Sequence, residues 1–222
     1  MKRTDDLGIN NLRLIQDSEL FCFGTDSVVL SDFVRISPNS RVVDLCTGNG
    51  IIPVLLSAKT KASSIVGIEL LKESYDLAVE NTELNGLSDR LSFINDDLKN
   101  WKNHIASGSV DAVTCNPPYM KVGAGFQNPD GLKAAARHEI FASLDDITQA
   151  AAGMLRFGGK FFIVHRMDRL CDVLCSMRNA SLEPKRIAFV HPSPEKAPVL
   201  ILVEGMLGAK PSLKTETPIY VN

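Results

Sequence analysis

Two stretches of the sequence combine residue types and spacings that could perform chemistry. Residues Asp44–Gly50 (DLCTGNG) stand where a predicted strand turns into a predicted helix, and Asn116–Tyr119 (NPPY) directly follow another predicted strand. Glycines at such a turn let the backbone approach a ligand closely. The Asn116 side-chain oxygen and the Pro117 carbonyl, held rigid by two prolines, can accept the two N–H bonds of a planar amine. Such contacts would favour a more tetrahedral nitrogen, which is the geometry that a planar amine needs in order to act as a nucleophile.

Acidic residues follow the next two predicted strands. Glu69 lies 25 residues after Asp44, where a carboxylate can accept both hydroxyls of a ribose. Asp96 and Asp97 follow the third strand. One of them can accept from an adenine amino group, and the pair also fits the N-cap of a helix that begins at Leu98. These acids suit a neutral nucleoside and offer no cation to a phosphate.

The same stretches discriminate between nucleotide cofactors. The dinucleotide fingerprint GxGxxG needs a third glycine where Pro53 stands, which disfavours a pyrophosphate-binding turn. The acids and the glycine turn therefore predict S-adenosylmethionine rather than NAD or ATP. The predicted cofactor contacts are Asp44, Cys46, Thr47, Gly48, Asn49, Gly50, Glu69, Leu70, Asp96, Asp97 and Asn116.

Predicted strands alternate with predicted helices along most of the chain. The strand-like runs cover 41–45, 64–69, 91–95, 110–115 and 160–165, followed by two more near 185–191 and 199–204. Alternation of this kind indicates βαβ units and a mostly parallel, doubly wound α/β sheet. The last two strands are joined by a short Pro-rich loop, which predicts an antiparallel hairpin at the edge of the sheet. One helix is predicted to stop at Asn85-Gly86, one to run from Ser143 to about Arg156, and one to be capped by Asp168.

Length and composition predict one globular domain. The 222 residues carry a net charge of −2 and are 45% hydrophobic, which argues against a disordered chain. Residues 41–205 are predicted to form the core, preceded by a lead-in segment, 1–40. No apolar run approaches the roughly 18 residues of a membrane span, and the first residues lack the apolar segment of a signal peptide. The five cysteines have no spacing typical of disulfides or of a zinc site. We therefore predict a cytoplasmic protein that binds neither a metal nor a membrane. The sequence does not predict its oligomeric state.

The tetrapeptide is the NPPY form of the (D/N/S)PP(Y/F/W) signature. Together with DLCTGNG it resembles the class I S-adenosylmethionine-dependent amino-methyltransferases, over residues from about 20 to 205. The resemblance implies a Rossmann-like seven-stranded sheet and makes Asn116, Pro117, Pro118 and Tyr119 the catalytic residues. Tyr119 offers an aromatic face on which a base could stack. Many members have Gly where Cys46 stands, so the sequence predicts that this position does not require a positive φ.

Three further stretches resemble one family within that class, the tRNA1(Val) adenine N6-methyltransferases. They are Gln16 with the segment Phe21–Leu30, the run 137–139 (RHE), and Phe161–Arg166. In that family the N-terminal segment closes over the cofactor, which implies cofactor contacts by Gly24 and Asp26. The implied reaction is methylation of the N6 amine of an adenine in tRNA, next to the anticodon (adenine 37 of a valine tRNA).

The charge distribution permits an anionic partner such as RNA. Residues 151–222 hold 10 basic and 6 acidic side chains, whereas residues 1–150 hold 14 basic and 20 acidic ones. Basic side chains near the predicted site could contact phosphates. The candidates are Lys121, Lys133, Arg137 and Arg166, with Arg169, Lys185 and Arg186 behind them.

The NPPY signature alone leaves the acceptor open. Enzymes that carry it also methylate guanine in ribosomal RNA, adenine in DNA and glutamine in release factors. The glutamine enzymes have a separate helical domain ahead of the sheet, for which the forty residues before Arg41 leave little room. A different class of function is a non-catalytic S-adenosylmethionine-fold module that binds RNA or protein. The intact glycine turn, Glu69 and NPPY count against it, and the missing third glycine counts against a dehydrogenase.

Overall fold

The computed structural model describes residues 1–20, 23–118 and 142–221. Within these ranges the strands form a two-stranded hairpin and a nine-stranded sheet. The hairpin consists of β1 (Lys2–Asp6) and β2 (Arg13–Asp17). The strands of the large sheet are β3 (Arg41–Leu45), β4 (Ser64–Glu69), β5 (Leu91–Asn95), β6 (Val110–Cys115), β7 (Leu155–Arg166), β8 (Leu182–His191), β9 (Leu200–Leu207), β10 (Lys214–Thr215) and β11 (Ile219–Tyr220).

The strand order is β10-β8-β9-β7-β6-β3-β4-β5, and β11 pairs with β8 beyond β10. Strands β3 to β7 run parallel, and β9 alone is antiparallel to its neighbours β7 and β8. The order reverses between β3 and β6, and in open α/β sheets ligands bind beyond the carboxyl ends of the strands at such a point. The predicted doubly wound, mostly parallel α/β sheet is confirmed, and in the described residues it has nine strands rather than the seven that the resemblance implies.

Five α-helices connect the described strands, and sequence signals explain where several of them begin and end. They are α1 (Thr25–Phe33), α2 (Ile51–Lys59), α3 (Lys72–Leu84), α4 (Leu144–Met154) and α5 (Leu170–Asn179). As predicted, Ser143 caps α4: its hydroxyl accepts from the Asp146 backbone, and Asp146 accepts from the Ser143 backbone. Helix α3 ends at Asn85-Gly86, and Gly86 has the positive φ that stops a helix.

Apolar side chains pack on both faces of the large sheet. One cluster joins the sheet to α1, α2 and the N-terminal hairpin, with Leu30, Leu56 and Phe162 fully buried. The other joins it to α4, α5 and the 3-10 helix Leu98–Asn103. Coverage on both faces explains why nearly every residue of β3 and β6 is buried. None of the helices in the described part of the chain is long and apolar enough to cross a membrane.

Several sequence-based details differ from the structure. The predicted antiparallel hairpin of β8 and β9 is confirmed, but it is not the outermost part of the sheet, because the two-residue strands β10 and β11 pair with the outer side of β8. Helix α4 stops at Met154 rather than Arg156 because β7 begins at once and uses Leu155 as its first residue. Asp168 makes no capping bond to α5; its carboxylate pairs with Arg166 instead.

The N-terminal hairpin and the two short C-terminal strands have no counterpart among the predicted elements. The C-terminal segment is tied to the sheet through Arg186, whose Nε donates to Glu204 at 2.7 Å and whose Nη1 donates to Glu216 at 3.1 Å. Its Nη2 donates to the Phe33 carbonyl, and the guanidinium lies 4.0 Å from the centre of the Phe33 ring. The predicted role of Arg186 in contacting phosphates is therefore wrong, because the side chain is nearly buried and serves internal ion pairs.

Candidate functional site

A cleft opens at the carboxyl ends of β3, β4, β5 and β6, where the strand order reverses. It encloses about 820 Å³, including space open to solvent. The cleft brings together the glycine turn, the acids after β4 and β5, and the first three residues of the NPPY run. Its lining residues are Cys46, Gly48, Ile68, Glu69, Leu70, Ser74, Asp96, Asp97, Leu98, Asn116, Pro117, Pro118 and Ala142.

The turn between β3 and α2 alternates between left-handed and ordinary backbone. Cys46, Gly48 and Gly50 have φ of +56°, +58° and +81°. The expectation that position 46 does not require a positive φ is wrong: Cys46 adopts it despite its β-carbon, at a cost of roughly 1–2 kcal/mol. At Gly50 a β-carbon would also lie 3.1 Å from Ala78 Cβ and Phe93 Cζ, so packing and backbone both favour glycine there.

Glu69 fixes the shape of this turn from the neighbouring strand. Its Oε2 accepts from the Gly48 backbone at 2.8 Å, and its Oε1 accepts from the Leu71 backbone at 2.9 Å. The side chain is 5% exposed and lines the cleft. Both oxygens of the carboxylate therefore hold backbone groups at the edge of the cleft.

Asp44 lies beneath the turn, and it does not line the cleft. The carboxyl is fully buried, with Thr47 Oγ1 donating to Oδ2 and Thr114 Oγ1 donating to Oδ1, both at 2.6 Å. Burial raises the pKa of Asp44 to about 7, the two hydroxyls oppose that rise, and the charge of Glu69 adds to it. Asp44 therefore supports the turn through Thr47 rather than lining the space that a ligand would fill.

The raised pKa of Asp44 predicts a pH-dependent stability difference. Between about pH 4 and pH 7 the unfolded chain has released this proton while the folded protein retains it, so the folded state loses stability as pH rises through that window. In Asp44→Asn the side chain cannot ionise. Urea unfolding from pH 4 to 7 should therefore show the free energy of unfolding of the wild type falling relative to that of Asp44→Asn. A constant difference between the two proteins across this range would contradict the assignment.

The two acids after β5 have different environments, although both line the cleft. Asp97 caps the 3-10 helix, accepting from the Lys99 backbone at 2.9 Å, as the N-cap interpretation expects. Asp96 accepts from Asn100 Nδ2 at 2.9 Å, and its Oδ2 lies 2.7 Å from His104 Nε2. Hydrogen bonds from Asn100 and then His104 lower the pKa of Asp96 below its usual value. Asp96 is therefore held in its charged form.

The lining chemistry fits S-adenosylmethionine. Among the described lining residues there are three carboxylates and no Lys, Arg or His, which favours a cationic sulfonium with a neutral nucleoside and disfavours a pyrophosphate. In addition, Asn49 Nδ2 is buried in the turn and has no hydrogen-bond partner within the described chain. A buried donor without a partner is costly, and a ligand acceptor would relieve that cost.

Asn116 begins the part of the cleft wall that directly follows β6. Its Nδ2 donates to Ser27 Oγ at 3.0 Å, which joins the wall to the third residue of α1. Pro117 and Pro118 follow on the same wall. Tyr119 lies outside the described residues. Ser27 binds the amide nitrogen of Asn116. The amide oxygen is the atom of this side chain that can accept a hydrogen bond from an amine.

Asn81 connects the N-terminal hairpin to the glycine turn. Its Nδ2 donates to the Asn49 carbonyl at 3.0 Å and to the Ile15 carbonyl at 3.1 Å, and its Oδ1 accepts from the Ile15 backbone at 2.6 Å. One helical turn later, Asn85 makes the same pair of contacts with Arg13. Residues four apart on α3 thus bind residues two apart on β2. Of the two asparagines, Asn81 contacts the glycine turn and Asn85 does not.

Replacing Asn81 should therefore affect cofactor binding more than replacing Asn85. Asn81→Ala leaves buried partners unsatisfied and should lower the free energy of unfolding by about 1–3 kcal/mol. It should also weaken S-adenosylmethionine binding in titration calorimetry, because the Asn49 carbonyl loses its anchor. Asn85→Ala, which breaks the partly exposed equivalent contact, should leave cofactor affinity unchanged. Equal cofactor affinities in the two variants would show that Asn81 does not support the turn.

The remaining predicted site residues lie beside or outside the cleft. Gly24 and Asp26 flank the start of α1, where Asp26 is 8% exposed and accepts from the Ser27 backbone, close to Asn116 but not among the lining residues. Thr47, Asn49 and Gly50 are buried in the turn itself. The candidates that fall outside the described residues are Lys121, Lys133 and Arg137.

Arg166 lies at the carboxyl end of β7, the strand next to β6, and so at the same edge of the sheet as Asn116. Its side chain is 54% exposed and bonds Asp168 through Nε and Nη2. The preceding His165 is buried, which lowers its pKa to about 4, and its Nδ1 accepts from the Arg166 backbone. Lys185, by contrast, is engaged by the Lys210 carbonyl and Ser212.

Sequence reasoning missed three residues that shape the site. Thr114 could have been found, because it is the strand partner of Asp44 and a polar residue within an apolar strand. Ser27 and Asn81 contact residues 89 and 32 positions away, respectively. No local pattern distinguishes their side chains from those of solvated polar residues.

The fold and the cleft define a class I methyltransferase. A family model described as the methyltransferase small domain matches residues 23–177. That range covers more than half of the chain, and the chain belongs to this family. The resemblance to this class, which was inferred from the two motifs, is confirmed.

Several curated relatives share one description, tRNA1(Val) (adenine(37)-N6)-methyltransferase. The one from Bacteroides fragilis is 25% identical over 180 residues, covering 81% of this chain and 75% of the relative. The one from Tolumonas auensis is 27% identical over 198 residues, covering 89% and 80%. Identities at this level support S-adenosylmethionine-dependent methylation for the family, and the substrate of this chain is a matter for experiment.

Solved structures share this fold, and several of them are described as methyltransferases. A predicted O-methyltransferase from Agrobacterium tumefaciens superimposes with a TM-score of 0.71 at 20% identity, covering 88% of this chain and 86% of the other. TYW2 from P. horikoshii, solved with MeSAdo, gives 0.62 at 14% identity, covering 90% and 70%. Family membership and the class I fold confirm S-adenosylmethionine as the cofactor.

Proposed function

We propose that this protein transfers the methyl group of S-adenosylmethionine to the exocyclic N6 amine of an adenine in tRNA. Adenine 37 of a valine tRNA is the proposed target. The observation that carries the proposal is a single cleft that joins the turn held by Glu69 to the wall formed by Asn116, Pro117 and Pro118. The description shared by the curated relatives supports this choice of acceptor.

In the proposal the cofactor lies along the turn, with its ribose hydroxyls donating to Glu69 and its adenine amine donating to Asp96 or Asp97. Leu70, which is 37% exposed beside Glu69, supplies an apolar surface for the adenine ring. Gly24, Asp26 and the rest of the lead-in segment 1–40 cover the other end. Asp44 and Thr47 act beneath the turn, with Cys46, Gly48, Asn49 and Gly50 forming it.

The chain's part in the chemistry is positioning. When bound, S-adenosylmethionine supplies an electrophilic methyl group on a sulfonium. Asn116 Oδ1 and the Pro117 carbonyl accept the two N–H bonds of the target amine, which draws its lone pair out of the ring plane and aims it along the line of transfer. Two consecutive prolines hold these acceptors because each fixes its own φ. The proton can leave after transfer, so no strong general base is needed.

The RNA surface of the proposal lies around the mouth of the cleft. Arg166 contacts phosphate at the carboxyl edge of the sheet, together with Lys121, Lys133 and Arg137, and Tyr119 stacks on the target base. The base must leave its stack to enter the pocket. A tRNA substrate places the enzyme in the cytoplasm.

Labelled S-adenosylmethionine, offered with unmodified bulk tRNA, ribosomal RNA, DNA and total protein as separate acceptors, tests the proposal. Chromatography of the nucleosides should find the label in tRNA as N6-methyladenosine. Label found only in ribosomal RNA, DNA or protein would support methyl transfer to an amine but would contradict tRNA as the substrate. Cofactor binding without label in any acceptor would favour a non-catalytic RNA- or protein-binding module.

A further inference from the structure

The Asn116 side chain is held by a residue from a distant part of the chain. Ser27 lies on α1, is 2% exposed, and accepts from Asn116 Nδ2 at 3.0 Å. The Ser27 backbone N–H donates to Asp26 Oδ1 at 2.8 Å, which fixes the first turn of α1. The contact spans 89 residues of sequence and joins the lead-in segment to the strand that carries the NPPY run.

We propose that Ser27 is a positioning residue for methyl transfer, acting through the Asn116 amide. This inference rests on the proposed function, because it assigns Ser27 a part in the same amine site. Ser27 itself does not line the cleft, and it contacts neither the amine nor the cofactor in the proposal. Ser27 determines which atom of the Asn116 amide faces the amine. It also makes that atom a stronger hydrogen-bond acceptor.

The first effect is orientation. The two ends of an Asn amide have nearly the same shape but opposite polarity, and only the oxygen can accept from an amine N–H. An acceptor at Ser27 Oγ stabilises the orientation in which Nδ2 faces α1. Without that acceptor the amide could rotate and present its own N–H groups to those of the amine, which would repel it.

The second effect is polarisation. Donation by Nδ2 shifts electron density of the amide towards its oxygen, and linked hydrogen bonds of this kind strengthen one another by about 10–30%. The Asn116 oxygen is therefore a better acceptor when Nδ2 is bonded to Ser27. As the methyl group is transferred, the amine nitrogen becomes tetrahedral and its N–H groups become more acidic. A stronger acceptor therefore stabilises the transition state more than the bound substrate.

Helix α1 offers a matched control one turn after Ser27. Ser31 is 1% exposed, and its hydroxyl donates to the Val28 carbonyl and accepts from Lys59 Nζ at 2.7 Å. Ser31→Ala removes a buried hydroxyl from the same helix without touching Asn116. The pair therefore separates a structural loss in α1 from a loss of positioning.

The experiment compares wild type, Ser27→Ala and Ser31→Ala for single-turnover transfer to tRNA, for affinity of S-adenosylhomocysteine by calorimetry, and for the urea midpoint. Ser27→Ala should lose about 10- to 100-fold in the rate constant, with ligand affinity unchanged. Ser31→Ala should transfer methyl at the wild-type rate. In the Asn116→Ala background, adding Ser27→Ala should cause no further loss, because Ser27 acts only through Asn116.

A spectroscopic readout does not depend on turnover. In ¹⁵N-labelled protein the Asn116 side-chain amide signal is identified by its absence from Asn116→Ala. One of its protons should move upfield in Ser27→Ala and stay in place in Ser31→Ala. If Ser27→Ala is too unstable, Ser27→Cys, of similar size but a weak acceptor, should show the same rate loss.

Equal rates for Ser27→Ala and Ser31→Ala, or an unmoved Asn116 amide signal, would overturn the positioning role while leaving the proposed function intact. A wild-type protein that transfers methyl to no acceptor would overturn the proposed function and, with it, the role of Ser27 in turnover.

Discussion

Replacing Asn116 with Ala should remove most methyl transfer while leaving cofactor affinity close to that of the wild type. The side chain supplies one of the two acceptors for the amine, and losing one preorganised polar group of this kind typically costs about 10²–10³ in the rate constant. Cofactor binding should survive because Glu69, which holds the turn and is the proposed ribose contact, stands on β4 and does not depend on Asn116. Single-turnover kinetics and titration calorimetry measure the two quantities separately.

The matched control is Asn103→Ala, which removes an exposed Asn side chain at the end of the 3-10 helix. It should transfer methyl at the wild-type rate. Substantial activity in Asn116→Ala would show that the amine is not held at that residue. A parallel loss of rate and cofactor affinity would instead place Asn116 mainly in the cofactor site.

Glu69→Ala should produce the largest loss of cofactor affinity. A charge-assisted hydrogen bond is worth about 1.5–3 kcal/mol, which corresponds to a dissociation constant about 10- to 150-fold higher. The variant also frees the Gly48 and Leu71 backbone N–H groups that Glu69 now binds, so part of the loss comes from a less ordered turn. Calorimetry with S-adenosylmethionine, alongside urea unfolding, separates binding from stability.

Glu73→Ala serves as the control for Glu69→Ala, because Glu73 is an exposed acid in the first turn of α3. It should bind the cofactor as the wild type does. A folded Glu69→Ala protein with wild-type affinity would remove Glu69 from the ribose site. Glu69→Gln keeps an acceptor oxygen but not the charge, and it should fall between the two.

Topology explains why much of the cleft could be predicted from sequence. In a parallel sheet, the residue after each strand lies at the same edge, so Glu69, Asp96, Asp97 and Asn116 meet there whatever the details of packing. The strand pattern alone therefore placed the main polar groups of the site. Family resemblance supplied the acceptor, since backbone topology carries no information about which amine enters.

The rest depends on properties that a sequence pattern does not encode. Asp44 has the residue type and position of a ligand-binding acid, yet two threonine hydroxyls enclose it beneath the turn. Cys46 holds a positive φ because the turn around it is determined by its neighbours rather than by the preference of the residue itself. Ser27 reaches Asn116 only after α1 has packed on the sheet.

The most direct test of the central claim, that an exocyclic amine is presented to the methyl donor by Asn116 and Pro117, compares two tRNA substrates. One is an unmodified valine tRNA with adenosine at position 37, and the other carries purine riboside there, which has the same ring without the amine. The proposal predicts N6-methyladenosine at position 37 of the first and no label in the second. Methyl transfer to the second tRNA at the rate seen with the first, or a ring-nitrogen product from either, would contradict it.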